Sequence, residues 1–176
     1  MLKKIISALG YLLLMIGLGL TIRFLFLNTS STDTSGVSTK AFFASHFLDS
    51  NAQSQALQQW KGKTVVLNFW ATWCPPCREE MPEFSQLYRR YQDKNVVVLG
   101  LATEDIDTVR DYLKEAPVSY PILIGENEAI ALSISLGNSK SALPYTVVIK
   151  PDGTIANNHF GRVSLSQLES MVNALQ

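Results

Sequence analysis

Residues 68–77 read NFWATWCPPC, and they hold both cysteines of a 176-residue chain, Cys74 and Cys77. The stretch continues Thr64-Val65-Val66-Leu67-Asn68-Phe69, a short apolar, β-branched run of the kind that forms a buried strand. It leads into Pro75 to about Asp93, where Met81, Phe84, Leu87, Tyr88 and Tyr91 recur at helical spacing. The two thiols therefore fall at a strand-to-helix junction. Pro75 suits the first helical position, where a missing N–H loses no hydrogen bond. Cys74 is then the N-cap, and its sulfur can accept a hydrogen bond as a capping Ser oxygen does. Pro76 has no N–H, so the amide of Cys77 is the expected donor. The positive end of the helix dipole lies at the same place. Both effects favour a thiolate at Cys74, since helix N-termini lower cysteine pKa values. Cys77, one turn on, points inward.

Three uses of such a pair compete. A zinc site needs about four ligands. Only His46 and His159 could complete one, and neither has ligand-like spacing to the pair. A purely structural disulfide across two intervening residues closes too small a loop to gain much chain entropy. A Cys-x-x-Cys beside a βαβ pattern reads instead as a thioredoxin-like redox motif. In that use Cys74 is the nucleophile and Cys77 the resolving thiol. A mixed disulfide formed at Cys74 is attacked by Cys77, which releases the reduced substrate. This chemistry needs no metal and no cofactor.

The rest of the chain supplies the βαβ setting. Val96 to Ala102 is a second buried strand, and Asp105 to Ala116 a helix with Ile106, Val109, Tyr112 and Leu113 on one face. Tyr120 to Ile124 is a short extended run, and Glu126 to Leu136 a helix. Tyr145 to Ile149 is a strand, Pro151-Asp152-Gly153 a turn, and Thr154 to Phe160 the hairpin partner. Ser164 to Leu175 closes the chain as a helix, with Ser164 and Gln167 in the form of a capping box. Pro82 lies inside the first helix and is expected to kink it. The order predicts an α/β fold with a parallel central pair, helices on both faces and an antiparallel hairpin at one side. Residues 41–60 contain Phe42, Phe43, Phe47 and Leu48 and read either as a hairpin or as a short helix.

The N-terminus has a different character. Lys3 and Lys4 precede eighteen uncharged residues, Ile5 to Ile22, and after Arg23 the apolar run resumes to Leu27. A spanning helix needs about 20 mostly apolar residues, so 1–27 reads as a membrane anchor. The leading positive charge favours a cytoplasmic N-terminus, with Arg23 able to snorkel to the far interface. A cleaved signal peptide is the competing reading. Against it, no small-x-small site follows the apolar run. Residues 28–40, NTSSTDTSGVSTK, form a Ser/Thr-rich tether, and 41–176 the folded domain. Asn28-Thr29-Ser30 also fits the short glycosylation acceptor pattern. Lys+Arg and Asp+Glu number 15 each, a balance that argues against a nucleic-acid partner.

The stretch NFWATWCPPCREEMPEF resembles the signature of the TlpA/ResA/CcmG-like branch of the thioredoxin superfamily, with the resemblance running over roughly residues 55–175. These are membrane-tethered thiol–disulfide oxidoreductases on the outer side of bacterial plasma membranes. The resemblance implies a thioredoxin-like fold with an insert around residues 104–140. It assigns the nucleophile to Cys74 and the resolving thiol to Cys77. Trp73 takes the place of the tryptophan that shields the site, and Pro82 that of the helix kink. Glu80 matches an acid used in proton handling; the bland alternative is a solvated Glu in a first helical turn. Asn68 stands where cytoplasmic thioredoxins carry a buried Asp, so that proton acceptor is missing. Ser141-Ala142-Leu143-Pro144-Tyr145-Thr146 matches the loop before the hairpin, where the superfamily places a cis-proline facing the cysteines. Ala142 and Leu143 replace the Gly and β-branched residues often found there. Trp73, Pro75, Pro76, Leu143 and Pro144 would line the substrate groove.

The expectation is a protein disulfide reductase in the envelope; the resemblance implies substrates among disulfide-bearing proteins of cytochrome c or copper-centre maturation. Thiols outside the plasma membrane tend to be oxidised, so such a reductase needs electrons from a membrane thiol–disulfide donor. The same pair run in the opposite direction gives a dithiol oxidase or isomerase. A binding module that keeps only the fold is a third reading, disfavoured by the intact Cys-x-x-Cys. A peroxidase would not require the vicinal pair.

Overall fold

The computed structural model describes Met15, Gly17 and residues 37–175. Apart from Met15 and Gly17, the expected anchor 1–27 lies outside the described residues, as does the tether as far as residue 36. Folded structure is already present at Thr39, which is buried, and a short helix α1 follows at Lys40–Ala44. A hairpin comes next, β1 at His46–Asp49 and β2 at Ser54–Ala56. Residues 41–60 thus hold both of the structures that the sequence offers as alternatives. A turn of 3₁₀ helix, Leu57–Trp60, leads into the central strands.

Strand β3, Thr64–Trp70, is buried along its whole length, as is β4, Val96–Ala102. The two pair in parallel from Thr64 opposite Val96 to Trp70 opposite Ala102. Between them runs α2, Pro75–Tyr91, continuous through Pro82. Helix α3, Ile106–Glu115, is capped by Asp105, whose carboxylate accepts from the amides of Asp107 and Thr108. Strand β5, Ile122–Ile124, and helix α4, Glu126–Ser135, complete the insert. The hairpin β6, Tyr145–Ile149, and β7, Ile155–Phe160, adds to the free edge of β3. Helix α5, Leu165–Asn173, closes the chain, and Ser164 and Gln167 form the expected capping box. The sheet has seven strands in the order β2-β1-β5-β4-β3-β6-β7.

Strand periodicity divides the core. Val65, Leu67 and Phe69 face one side of the sheet with Phe42, Leu57, Leu99 and Val147. Val66 and Trp70 face the other, with Met81, Phe84 and Leu87 of α2 and Leu168 and Val172 of α5. Asn68 falls on this second face. It is a polar residue in an apolar layer, fully buried, directly beneath α2. Its partner in register on β4 is Gly100. A side chain at Gly100 would meet Tyr120 Cε2 at 3.0 Å and Trp70 Nε1 at 3.2 Å, so the glycine lets these rings close over the sheet. This is the α/β arrangement expected from the order of elements, and the thioredoxin-like fold that the resemblance implies.

Candidate functional site

The cysteines sit where β3 gives way to α2. Cys74 is the N-cap in an extended conformation (φ −93°, ψ 102°), and Pro75 and Pro76 open the helix. The amide of Cys77 donates to Cys74 Sγ at 3.3 Å. The two sulfurs are joined as a disulfide with an S–S distance of 2.04 Å. Cys77 is fully buried and Cys74 only 3% exposed. Trp73 beside them is 67% exposed. The approach loop is held from the insert: Thr72 Oγ1 donates to Glu104 Oε1 at 2.9 Å, and the Thr72 amide donates to Oε2 of the same carboxylate. Glu104 is 32 residues away in sequence, and nothing local to it signals this contact.

Glu80 lies three residues after Cys77 on α2, on the same helix face, and is fully buried. The solvated reading of this residue is thereby excluded. Its Oε1 accepts from Asn68 Nδ2 at 2.8 Å and its Oε2 from the Val163 amide at 2.9 Å. Removal from water raises its pKa from 4.5 to about 7, against the lowering pull of those two hydrogen bonds and of Arg162. Asn68 also donates to Thr146 Oγ1 at 3.2 Å, while its own Oδ1 has no hydrogen-bond partner among the described residues. The acid missing at position 68 is therefore present nearby, supplied by the helix rather than by the strand. The sequence singles out both residues without joining them, since twelve positions separate them and they belong to different elements.

Pro144 is buried, and the peptide bond joining it to Leu143 is cis. Thr146 pairs with Asn68 and Tyr145 with Phe69, so Pro144 stands level with Trp70 at the cysteine end of β3. Leu143 packs against the core cluster that contains both cysteines. Asn138 braces this loop, accepting from the Ala142 amide at 3.0 Å and donating to the Ala142 carbonyl at 2.9 Å. Pro75 is exposed and Pro76 half-buried. Cys74, Cys77, Glu80 and Pro144 thus converge on one end of the sheet, with Trp73 and Pro75 open to solvent there. Among the described residues no group of three or more His, Cys, Asp or Glu is placed to hold a metal ion.

A vicinal cysteine pair capping a helix on a thioredoxin-like sheet, over a buried acid, defines a thiol–disulfide oxidoreductase. A family model described as AhpC/TSA family matches residues 38–158, and the chain belongs to that family. It is 32% identical over 120 residues to the thiol-disulfide oxidoreductase ResA of Bacillus anthracis, an alignment covering 68% of this chain and 67% of that one. It is also 32% identical over 126 residues to the thioredoxin-like protein YneN of Bacillus subtilis (strain 168), covering 70% and 71% of the two chains. Among solved structures, a thioredoxin-family thiol:disulfide interchange protein from Chlorobium tepidum TLS superposes with a TM-score of 0.67 at 25% identity. That match covers 74% of this chain and 92% of the other.

Proposed function

We propose that the protein is an extracytoplasmic disulfide reductase, held in the plasma membrane by residues 1–27 with its N-terminus in the cytoplasm and its folded domain, 41–176, outside. The observation that carries the chemistry is the Cys77 amide on Cys74 Sγ at the start of α2. In the reduced enzyme the Cys74 thiolate attacks one sulfur of a substrate disulfide. A mixed disulfide forms and the first substrate thiolate leaves. Cys77 then attacks Cys74 Sγ, forming the Cys74–Cys77 disulfide and expelling the second substrate thiolate. Two electrons pass from the cysteine pair to the substrate. Cys77 must lose its proton before it attacks, and the buried Glu80, three residues on along the same helix, is assigned as the base. With a pKa of about 7 it is poised to take a proton near neutral pH.

The substrates are disulfide-containing envelope proteins, with apocytochromes c and copper-centre assembly factors the favoured classes on the family resemblance. Trp73, Pro75, Pro76, Leu143 and Pro144 form the groove that receives them. A membrane thiol–disulfide donor re-reduces the pair. The test is capture of partners in cells. Cys77→Ser leaves the nucleophile without its resolving thiol and is expected to accumulate mixed disulfides, whereas Cys74→Ser is not. Equal capture by the two variants overturns the assignment of roles. Reduction of insulin by the full chain in detergent, lost in Cys74→Ser, separates a reductase from a binding module.

A further inference from the structure

The end of the sheet remote from the cysteines is built from four chain segments. Residue 64 opens β3 there: its amide donates to Asn95 O at 3.1 Å, and Asn95 Nδ2 donates to Gly62 O at 3.1 Å. Val65 pairs with Ile149, which brings the turn at 150–154 to the same end. Thr39 Oγ1 donates to Gly153 O, so the start of the folded chain lies against that turn. A surface groove is lined by Val37, Ser38, Lys40 and Lys61 together with Asp152 and Gly153. The segments 37–40, 61–63, 93–95 and 150–154 contain Lys40, Lys61, Lys63, Lys94 and Lys150 against Asp93 and Asp152, a net charge of +3. The remainder of 37–175 has seven basic and twelve acidic residues, a net charge of −5. Lys40, Lys61, Lys63 and Lys94 are exposed and Lys150 is half-buried. Among the described residues, no carboxylate lies within ion-pair distance of Lys40, Lys61 or Lys63. Positive charge is thus gathered at one pole of a domain that is otherwise acidic.

We infer that this lysine pole is a docking surface for an anionic lipid headgroup layer. The inference rests on the proposed membrane anchorage and adds the orientation of the domain to it. The chain enters the domain at this pole, and the apolar N-terminal run ends at Leu27, ten residues before Val37. Ten residues reach at most about 35 Å even fully extended. A tether of this length lets the pole reach the surface, and an anionic headgroup layer there acts on clustered lysines through a field with a Debye length of about 8 Å. The acidic remainder of the domain is repelled by the same field. Docking by this pole turns the Cys74–Cys77 disulfide to the far side. The length of β3 alone, from Thr64 to Trp70, sets it about 20 Å above the docked surface. The electron donor must then present its thiols on a loop or domain that rises to that height, and substrates arrive from the aqueous side.

The test uses the full chain reconstituted in vesicles of phosphatidylglycerol or of phosphatidylcholine and isolated by flotation. An amine-acylating reagent is applied, and the modified peptides are quantified by mass spectrometry. Lys140, exposed in the loop that leads to Pro144, serves as the internal reference. Relative to Lys140, acylation of Lys40, Lys61, Lys63 and Lys150 is expected to fall several-fold in phosphatidylglycerol. It should recover in 1 M salt, where the Debye length is about 3 Å. Equal labelling ratios in the two lipids overturn the docking inference while leaving the anchor intact. Protection that appears in phosphatidylcholine as well and survives salt assigns the pole to another contact and also overturns it. A chain that floats with neither vesicle removes the anchor reading and this one with it.

Discussion

Asn68 of the central strand donates its amide to the Glu80 carboxylate at 2.8 Å, in a layer from which water is excluded. The contact joins strand and helix below the redox pair, and it can serve both forms of the acid. The ionised carboxylate accepts from Nδ2. Rotating the Asn68 amide by half a turn would present Oδ1, which has no other partner among the described residues, to a protonated Glu80. The pair is thus able to hold a proton or release it without leaving a donor facing a donor.

Glu80 makes the stability of the fold depend on pH. Its folded-state pKa of about 7 lies above the ordinary 4.5, so the folded state binds this proton more tightly than the unfolded chain. For a carboxyl group shifted in this direction, stability falls as pH rises from about 4.5 to about 7 and then levels. A shift of this size corresponds to a loss of about 2–3 kcal/mol between pH 5 and pH 8. Glu80→Gln is expected to abolish that loss, because its amide can donate to the rotated Asn68 while its oxygen keeps the Val163 amide. Denaturant titrations of both proteins at the two pH values measure the difference. An unchanged pH slope in the variant would remove Glu80 as its source.

A second carboxylate beside the first tests the same contact from the strand side. Asn68→Asp places two acids about 3 Å apart in a buried site, where both cannot ionise. The variant is expected to be destabilised at pH 8 by about 2–4 kcal/mol and much less at pH 5. Combining Asn68→Asp with Glu80→Gln should restore most of the loss, since one acid and one amide are again present with their positions exchanged. Additive losses in the double variant would show that the two side chains are not coupled.

Much of this is legible in the chain, and the gaps have physical causes. Strands β3 and β4 are read from their apolar, β-branched composition because burial on both faces leaves no alternation to misread. The capping of α2 by Cys74 follows from two prolines and the chemistry of helix starts. The capping box at Ser164 is equally local. Glu80 is harder. A glutamate in a first helical turn is ordinarily solvated and favoured by the dipole. What makes this one different is the Val163 amide, 83 residues away. Glu104 on the Thr72 loop is a contact of the same kind. Neither has a local pattern, because each depends on segments that only the tertiary fold brings together. The hairpin β1–β2 and helix α1 share so short a stretch that their apolar residues suit either form.

The proposed anchorage gives a prediction at the other end of the chain. A reporter enzyme fused after residue 40 should be active only on the outer side of the plasma membrane, and the mature protein should retain its N-terminus. The eighteen-residue run from Ile5 to Ile22 behind Lys3 and Lys4, with no small-x-small site after it, motivates both. Intact-mass measurement decides the matter. A mature start near residue 28 or later would make the segment a cleaved signal.

Direction of electron flow is set by how far the fold stabilises the Cys74 thiolate. A strong oxidant is one whose reduced form is stabilised, chiefly by a thiolate of very low pKa. That requires several donors or a bound cation, and this site offers few. Cys74 Sγ accepts from one amide, that of Cys77 at 3.3 Å, and Pro75 and Pro76 contribute none. The Arg78 guanidinium lies over the Tyr112 ring, 5.6 Å from its centroid. Arg162 is shared between Glu79 at 3.6 Å and Glu83 at 3.2 Å. Glu80, once ionised, adds a buried negative charge on the same helix face, which opposes a second anion at the cysteines. The thiolate gains the helix dipole and one hydrogen bond, and little else. The Cys74 pKa is therefore expected to be lowered only moderately, and the disulfide to be comparatively stable. Equilibration against glutathione or dithiothreitol buffers should place the couple closer to thioredoxin, at about −270 mV, than to DsbA, at about −120 mV. Glu80→Gln, which removes the opposing charge, should move it toward the oxidising side at pH 8 and leave it nearly unchanged at pH 5. A wild-type potential near −120 mV, with a Cys74 pKa of about 3.5, would make the protein an oxidase.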